Sequence, residues 1–186
     1  RVFLFVCVFL HAFTAYLLIK ENRAARPVPN EVEKTKRAGW SSLRMGLTGS
    51  IILAFVVFHL LHFTTRQVFP EYGELETVKG SPDGEMIHDV YSMVIAGFSI
   101  DWISISYVLC MFLLCRHLAH GVSSSFQSLG LRSDTWSKKL DFASKAYAWM
   151  IFVGFSVVPL SVLADKYGLI SLYNHDSLNI ADLLKP

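Results

Sequence analysis

Charged side chains are scarce in this sequence. Asp, Glu, Lys and Arg make up only 17% of its 186 residues, whereas 53% are hydrophobic and 13% are aromatic. Because soluble domains usually carry about 25% charged residues, this composition excludes an ordinary soluble domain of similar size. The chain is therefore expected to reside in a membrane.

The sequence also lacks the elements of several common active sites. Its three cysteines, Cys7, Cys110 and Cys115, are scattered through apolar stretches, which excludes a disulfide framework and a cysteine-ligated iron–sulfur cluster. It contains neither a glycine-rich dinucleotide fingerprint nor a phosphate-binding loop. These absences exclude nucleotide-dependent catalysis by this chain alone.

Four apolar stretches, each close to the roughly 20 residues that a helix needs to cross a bilayer, lie at 2–19, 44–65, 102–129 and 146–165. The sequence thus predicts an all-α membrane bundle of four transmembrane helices. Pro159 lies inside the fourth stretch, where a bend is expected.

The loops between the stretches alternate in charge. Residues 20–44 and 130–145 have more Lys and Arg than Asp and Glu, whereas residues 66–101 have the reverse excess. Because basic loops stay in the cytoplasm, the two basic loops, 20–44 and 130–145, are predicted to be cytoplasmic. Loop 66–101 and the C-terminus are predicted to lie outside. Short helices along the membrane surface are expected at 86–98, with His88 and Asp89 in the first turn, and at 177–184.

Histidines are concentrated in the apolar stretches, which hold five of the seven: His11, His59, His62, His117 and His120. An imidazole inside a membrane needs a partner, which is an interhelical hydrogen bond, a proton path or a metal. Facing histidines on two helices suit bis-histidine haem ligation. An iron held in this way has no open position, so it favours electron transfer over oxygen chemistry.

Spacing and depth narrow the possible pairs. His59 and His62, like His117 and His120, are three residues apart and share a helix face, so only one of each pair need bind iron. At about 1.5 Å per residue, His11, His117 and His120 lie about 13 to 18 Å from the inner edge, and His59 about 22 Å. His11 therefore pairs with either His117 or His120, whereas His59 needs a different partner.

Arg116 lies beside the last two histidines. An uncompensated charge in a membrane helix costs on the order of 3 kcal/mol, so this guanidinium requires a counter-charge or a route to water. A haem propionate would supply the charge. The alternatives are that Arg116 snorkels to the interface or pairs with an acidic residue of a partner subunit.

Two segments are specific enough to carry a resemblance. TGSIILAFVVFHLLHF, which begins at Thr48, and RHLAHGVSSSFQSLGLRSDTW, which begins at Arg116, resemble the single-chain, di-haem cytochrome b subunit of type B succinate:quinone oxidoreductases. LHAFTAYLL around His11 and HDVYSMV from His88 look like the same family. The resemblance covers nearly the whole chain.

The resemblance implies five transmembrane helices and two b haems, of which this sequence matches the second helix onward. By position, His11, His59 and His117 resemble axial iron ligands. His11 and His117 would hold the haem nearer the cytoplasm, and His59 would pair with a histidine on a first helix expected upstream. Without that helix the outer haem lacks one ligand. His62 and His120 then become hydrogen-bonding neighbours of the haem sites.

The same resemblance implies a non-catalytic electron-transfer subunit of succinate dehydrogenase or fumarate reductase in the bacterial cytoplasmic membrane. Its expected partners are a flavoprotein subunit with FAD, an iron–sulfur subunit, and menaquinone or ubiquinone, with no nucleic acid. A quinone site near the outer haem would draw on His88, Asp89, Tyr91 and Trp102.

Two other functions fit the histidine pattern. One is the cytochrome b anchor of a hydrogenase or formate dehydrogenase, which would also bind haem through paired histidines. The other is a haem-free transporter or channel whose histidines relay protons.

Overall fold

The structure, a computed structural model, describes residues 2–25, 44–78 and 86–171. Four of its helices are long and apolar enough to cross a membrane, so the chain is a multi-pass membrane protein with an all-α helix bundle. A shorter helix precedes the third of them. In chain order the helices are α1 Val2–Ala24, α2 Met45–His59, α3 Val90–Phe98, α4 Asp101–Ser128 and α5 Asp134–Lys166.

Helix α5 begins at Asp134, well before residue 146, where the apolar stretch begins. Most of the segment 130–145 that was expected to be a loop is therefore helical. The physical reason lies in a polar cluster that fastens the first turns of α5 to α4. Arg132 donates to Ser123 Oγ at 2.9 Å and to Asp141 Oδ2 at 2.8 Å, and Ser123 donates to Asp141 Oδ1 at 2.6 Å.

A second polar cluster ties α4 to α5 at the opposite end of the pair. Lys166 Nζ lies 2.7 Å from Asp101 Oδ1 and donates to the carbonyl of Ser99 at 2.8 Å. The hydroxyl of Tyr167 donates to Asp101 Oδ2 at 2.9 Å. Between the clusters α5 continues through the buried Pro159 to Lys166. The two longest helices thus form an antiparallel hairpin held at both ends.

The short helix expected at 86–98 begins later, at Val90, because residues 86–88 form a strand. A 3₁₀ turn, Pro70–Glu74, leads into strand β1, Glu76–Val78, which pairs antiparallel with β2, Met86–His88. Only then does α3 begin. It packs into the bundle and buries six of its nine residues: Ser92, Met93, Ile95, Ala96, Gly97 and Phe98. Small and apolar side chains on most of its surface explain this burial.

The apolar core lies where α3, α4 and α5 meet the end of α2. Its buried members are Ile95, Phe98, Ile103, Tyr107 and Val162, and phenylalanines of α2 pack around them. Helix α1 differs, because none of its side chains is buried against the described residues. The expected surface helix at 177–184 lies outside the described residues.

Asp89 caps the N-terminus of α3. Its Oδ1 accepts from the backbone N–H of Ser92 at 3.0 Å, and its Oδ2 accepts from the Ser92 hydroxyl at 2.6 Å. Burial by itself raises the pKa of Asp89, but these hydrogen bonds outweigh it and hold the pKa below its usual range. The carboxylate therefore stabilises the helix in its charged form.

We expect Asp89→Ala to lower the free energy of unfolding by about 1 kcal/mol, because the first turn of α3 loses its acceptor. Asp89→Asn keeps an acceptor and should cost less. The folded-state pKa lies below the unfolded value of about 3.9, so this stabilisation is present at neutral pH and is lost as pH falls through the folded-state pKa. Detergent unfolding across pH checks this, and an Asn variant with the same acid dependence as Asp89 would contradict it.

Candidate functional site

His11 of α1 and His117 of α4 face each other across the bundle. Their ring centroids are 6.2 Å apart, and the two rings are nearly perpendicular, at 87°. The two histidines come from helices far apart in the chain, so only the tertiary fold brings them together.

This separation fits an iron ligated by both imidazoles. Two metal–imidazole bonds of about 2 Å, with about 1.1 Å from each nitrogen to its ring centroid, put the centroids about 6 Å apart. The observed 6.2 Å agrees with that value. The facing side chains therefore fit the axial ligation of a haem in spacing and in donor type.

Thr48 of α2 contacts Nδ1 of His117. Its hydroxyl is within donating distance of the carbonyls of Arg44 and Met45, at 3.1 and 3.2 Å, and its oxygen lies 3.3 Å from His117 Nδ1. When the hydroxyl donates to either carbonyl, its oxygen accepts a hydrogen bond from Nδ1–H. Nε2 of His117 is then left with its lone pair, as a metal ligand requires.

Gly49 lets α2 approach this histidine closely. A Cβ atom at position 49 would lie 3.3 Å from His117 Cε1, which is tighter than an ordinary contact. Any side chain here would push the imidazole away from its position beside Thr48. The Thr48-Gly49 pair thus provides both the hydrogen bond and the space that hold the ring.

Arg116 and His120 lie on α4 with His117, one residue before it and three residues after it. The Nε2 of His120 is 3.5 Å from the hydroxyl of Ser124, one turn further along the same helix. The side chain of Arg116 is exposed at the surface of α4. Of the two histidines that depth left open as partners of His11, the structure brings His117 to it.

Another group of polar side chains, centred on Tyr107, lies at the other end of α2. Tyr107 of α4 directs its hydroxyl between His59, the last residue of α2, and His62, which lies in the turn that follows. The hydroxyl is 3.0 Å from His62 Nδ1 and 3.5 Å from His59 Nδ1. Both histidines reach one hydroxyl, as their i to i+3 spacing predicts. His59 is exposed at the bundle surface, whereas His62 has no solvent-accessible area.

The backbone around His62 departs from an α-helix. Residues Leu60–Thr64 form a π-helical turn, and Arg66 adopts a left-handed conformation with φ of 56°. The N–H of Gln67 then bonds to the carbonyl of Leu61, six residues earlier, at 2.8 Å, which closes the end of this turn. π-turns often occur at functional sites, and this one carries His62 into the core.

Two polar atoms of this cluster lack hydrogen-bond partners among the described residues: Nε2 of His62 and the hydroxyl of Tyr72. Both side chains are fully buried, and their rings lie 5.9 Å apart. Burial, with a further contribution from Glu71, raises the pKa of Tyr72, so its hydroxyl stays protonated. Such unsatisfied groups are costly in a protein interior.

Comparisons with protein-family models, curated proteins and solved structures found no match. The arrangement of side chains is therefore what carries the functional argument.

The residues proposed for a quinone site have different surroundings. His88 Nδ1 donates to the carbonyl of Leu75 at 2.9 Å, and its Nε2 lies 3.4 Å from the sulfur of Met93. Asp89 caps α3. The rings of Tyr91 and Trp102 are 58% and 60% exposed, so they lie at the bundle surface. His88 and Asp89 thus support local structure, and Tyr91 and Trp102 are exposed at the bundle surface.

Sequence reasoning missed Tyr107 and the hydrogen-bonding role of Thr48. One signal was present: Tyr107 lies within a long apolar run, and a buried tyrosine usually finds a partner for its hydroxyl. The hydrogen-bond partner of Tyr107 could not be predicted from the sequence, because it lies on another helix. Thr48 was noted only as part of the resemblance.

Proposed function

We propose that the chain is the haem b-binding membrane anchor of a succinate:quinone oxidoreductase, that is, succinate dehydrogenase or fumarate reductase. It passes electrons between an iron–sulfur subunit in the cytoplasm and quinone in the membrane. The observation that supports this most is the facing pair His11 and His117, at the spacing of two imidazoles on one iron. The resemblance of the segments around His59 and His117 selects the family.

Three residues around the His11–His117 pair would hold one haem. His11 and His117 would ligate the iron through one nitrogen each, and Thr48 would keep His117 in the ligating tautomer. A haem with two imidazole ligands supplies reversible one-electron transfer.

His59 would ligate a second haem nearer the outer side. Its other ligand would come from a helix outside the described residues. Quinone would bind at this outer end, near the exposed rings of Tyr91 and Trp102 and the polar groups of His88 and Asp89. Succinate chemistry belongs to a flavoprotein subunit, which with the iron–sulfur subunit docks on the cytoplasmic segments 20–44 and 130–145.

Isolation of the intact complex from its own membrane through a tag on this chain tests the proposal. We expect a reduced-minus-oxidised spectrum with the alpha band of b-type haem, bound flavin and iron–sulfur clusters, and haem that succinate reduces. The spectrum needs no assay of turnover, so it reports on the haem itself.

The other outcomes identify the alternatives. Haem that is reduced by hydrogen or formate, with the corresponding partner subunits, would assign the chain to a different respiratory complex. A complex with no haem would exclude both cytochrome functions and leave a transporter or channel whose histidines relay protons.

A further inference from the structure

If His59 binds iron, the direction of the hydrogen bonds made by the Tyr107 hydroxyl is fixed. The hydroxyl of Tyr107 lies between Nδ1 of His59 and Nδ1 of His62. A hydroxyl has one proton to donate, so it donates to one of the two rings and accepts from the other. The question is which histidine receives the proton.

An imidazole that binds iron through Nε2 carries its proton on Nδ1. Nδ1 of His59 is the atom that faces Tyr107, so Nε2 is the one left to ligate. In that state His59 donates to the Tyr107 oxygen, and the Tyr107 hydroxyl donates to His62 Nδ1. His62 must then hold its own proton on Nε2, the atom that is buried without a partner among the described residues.

We propose that Tyr107 is a positioning residue for the outer haem, and that it orients the His59 imidazole through a directed chain of hydrogen bonds from His59 to Tyr107 to His62. This inference rests on the proposed function, because it assigns His59 as an iron ligand. It adds that Tyr107 orients this ligand, as Thr48 orients His117.

Packing makes Tyr107 suitable for this role. Its ring has 5% exposure and makes edge contacts with Phe55 at 4.8 Å and Phe98 at 5.0 Å between centroids. These contacts fix the position of the hydroxyl independently of the histidines. A rigidly held acceptor limits rotation of the ligand ring and makes its imidazole more basic.

The test uses Tyr107→Phe in the intact complex, because this change removes the hydroxyl and keeps the ring. The haem that Tyr107 affects is identified as the one lost in His59→Ala. We expect Tyr107→Phe to retain this haem, to change its low-spin electron paramagnetic resonance signal, and to raise its midpoint potential. The potential rises because a less basic imidazole stabilises the oxidised iron less. The haem held by His11 and His117 should keep both properties.

Tyr167→Phe is the matched control. It removes a tyrosine hydroxyl that donates to Asp101, at the end of the α4–α5 pair. Both haem signals should stay unchanged in this variant. A change in the signal of the outer haem in Tyr107→Phe, but not in Tyr167→Phe, supports the proposal, and an unchanged signal of that haem in Tyr107→Phe overturns it.

Substitutions at His62 decide the matter if Tyr107→Phe fails to assemble. His62→Gln offers a carbonyl that accepts from Tyr107, whereas His62→Leu offers no acceptor. We expect the resonance signal of the outer haem to shift more in the Leu variant than in the Gln variant, and equal signals in the two would overturn the hydrogen-bond chain. Wild-type complex without haem would instead refute the proposed function itself.

Discussion

Replacement of His117 by alanine is expected to remove the haem between α1 and α4 and to leave the haem of His59 in place. In the proposed site the imidazole of His117 would supply one of two bonds to the iron, and alanine offers no donor. His11→Ala should give the same loss, because its ring, whose centroid lies 6.2 Å from that of His117, would supply the other bond. Haem content per complex and redox titration of the alpha band measure both results.

His120→Ala provides the matched control on the same helix. His120 contacts Ser124 of its own helix, and we expect its removal to leave haem content nearly unchanged. Loss of haem in His120→Ala with retention in His117→Ala would reverse the assignment. Retention of both haems in His11→Ala and in His117→Ala would contradict this site altogether.

The spanning helices could be predicted from the sequence because hydrophobic length is a local property. The start of α5 could not be predicted in this way. Residues 134–145 include Lys138, Lys139, Asp141 and Lys145, and a hydropathy pattern registers such a segment as a loop. What fastens it to α4 is the contact of Asp141 with Arg132 and Ser123, which depends on the tertiary arrangement of the two helices.

The segment between α2 and α4 shows a similar limit. The apolar residues of α3 suggested a helix on the membrane surface, and the choice between surface and core depends on what lies opposite. In the structure, Tyr72 and Phe63 offer an aromatic surface, and Met93 and Ala96 pack against it. No local pattern in residues 86–98 contains that information.

The candidate site was predictable in its residue types and only partly in its geometry. Histidines in apolar stretches are conspicuous, and depth reduced the partners of His11 to two. The choice of His117 came from the resemblance, and the structure places that ring opposite His11. The π-turn at Leu60–Thr64 and the contacts of Tyr107 have no sequence signature, because each depends on the packing of several helices.

Gly97→Ala is expected to destabilise the bundle strongly for a change of one methyl group. A Cβ atom at position 97 would lie 2.8 Å from Cε1 of Phe63 and 3.2 Å from Nε2 of His62. The Phe63 ring cannot yield easily, because its centroid is 3.9 Å from that of His62 and 5.3 Å from that of Phe98. Overpacking of this kind costs about 1 to 3 kcal/mol, more than alanine returns through its helix propensity of about 1 kcal/mol.

Gly154→Ala is the matched control for that effect. Among the described residues, no heavy atom outside the local helix lies within 4 Å of a Cβ built on Gly154. The control should therefore be neutral or slightly stabilising. Detergent unfolding compares the free energies of unfolding of the two variants, and equal stability would contradict the steric argument.

Gly97→Ala also tests whether the packing of α3 affects the cluster formed by Tyr107, His59 and His62. Any movement of Phe63 that accommodates the methyl group pushes on His62, and His62 is held to Tyr107 by one hydrogen bond of 3.0 Å. Gly97→Ala should therefore change the resonance signal of the outer haem in the molecules that remain folded, while Gly154→Ala leaves it unchanged. Loss of stability with an unaltered haem signal would mean that Phe63 relaxes away from His62, and that the close approach of α3 serves packing alone.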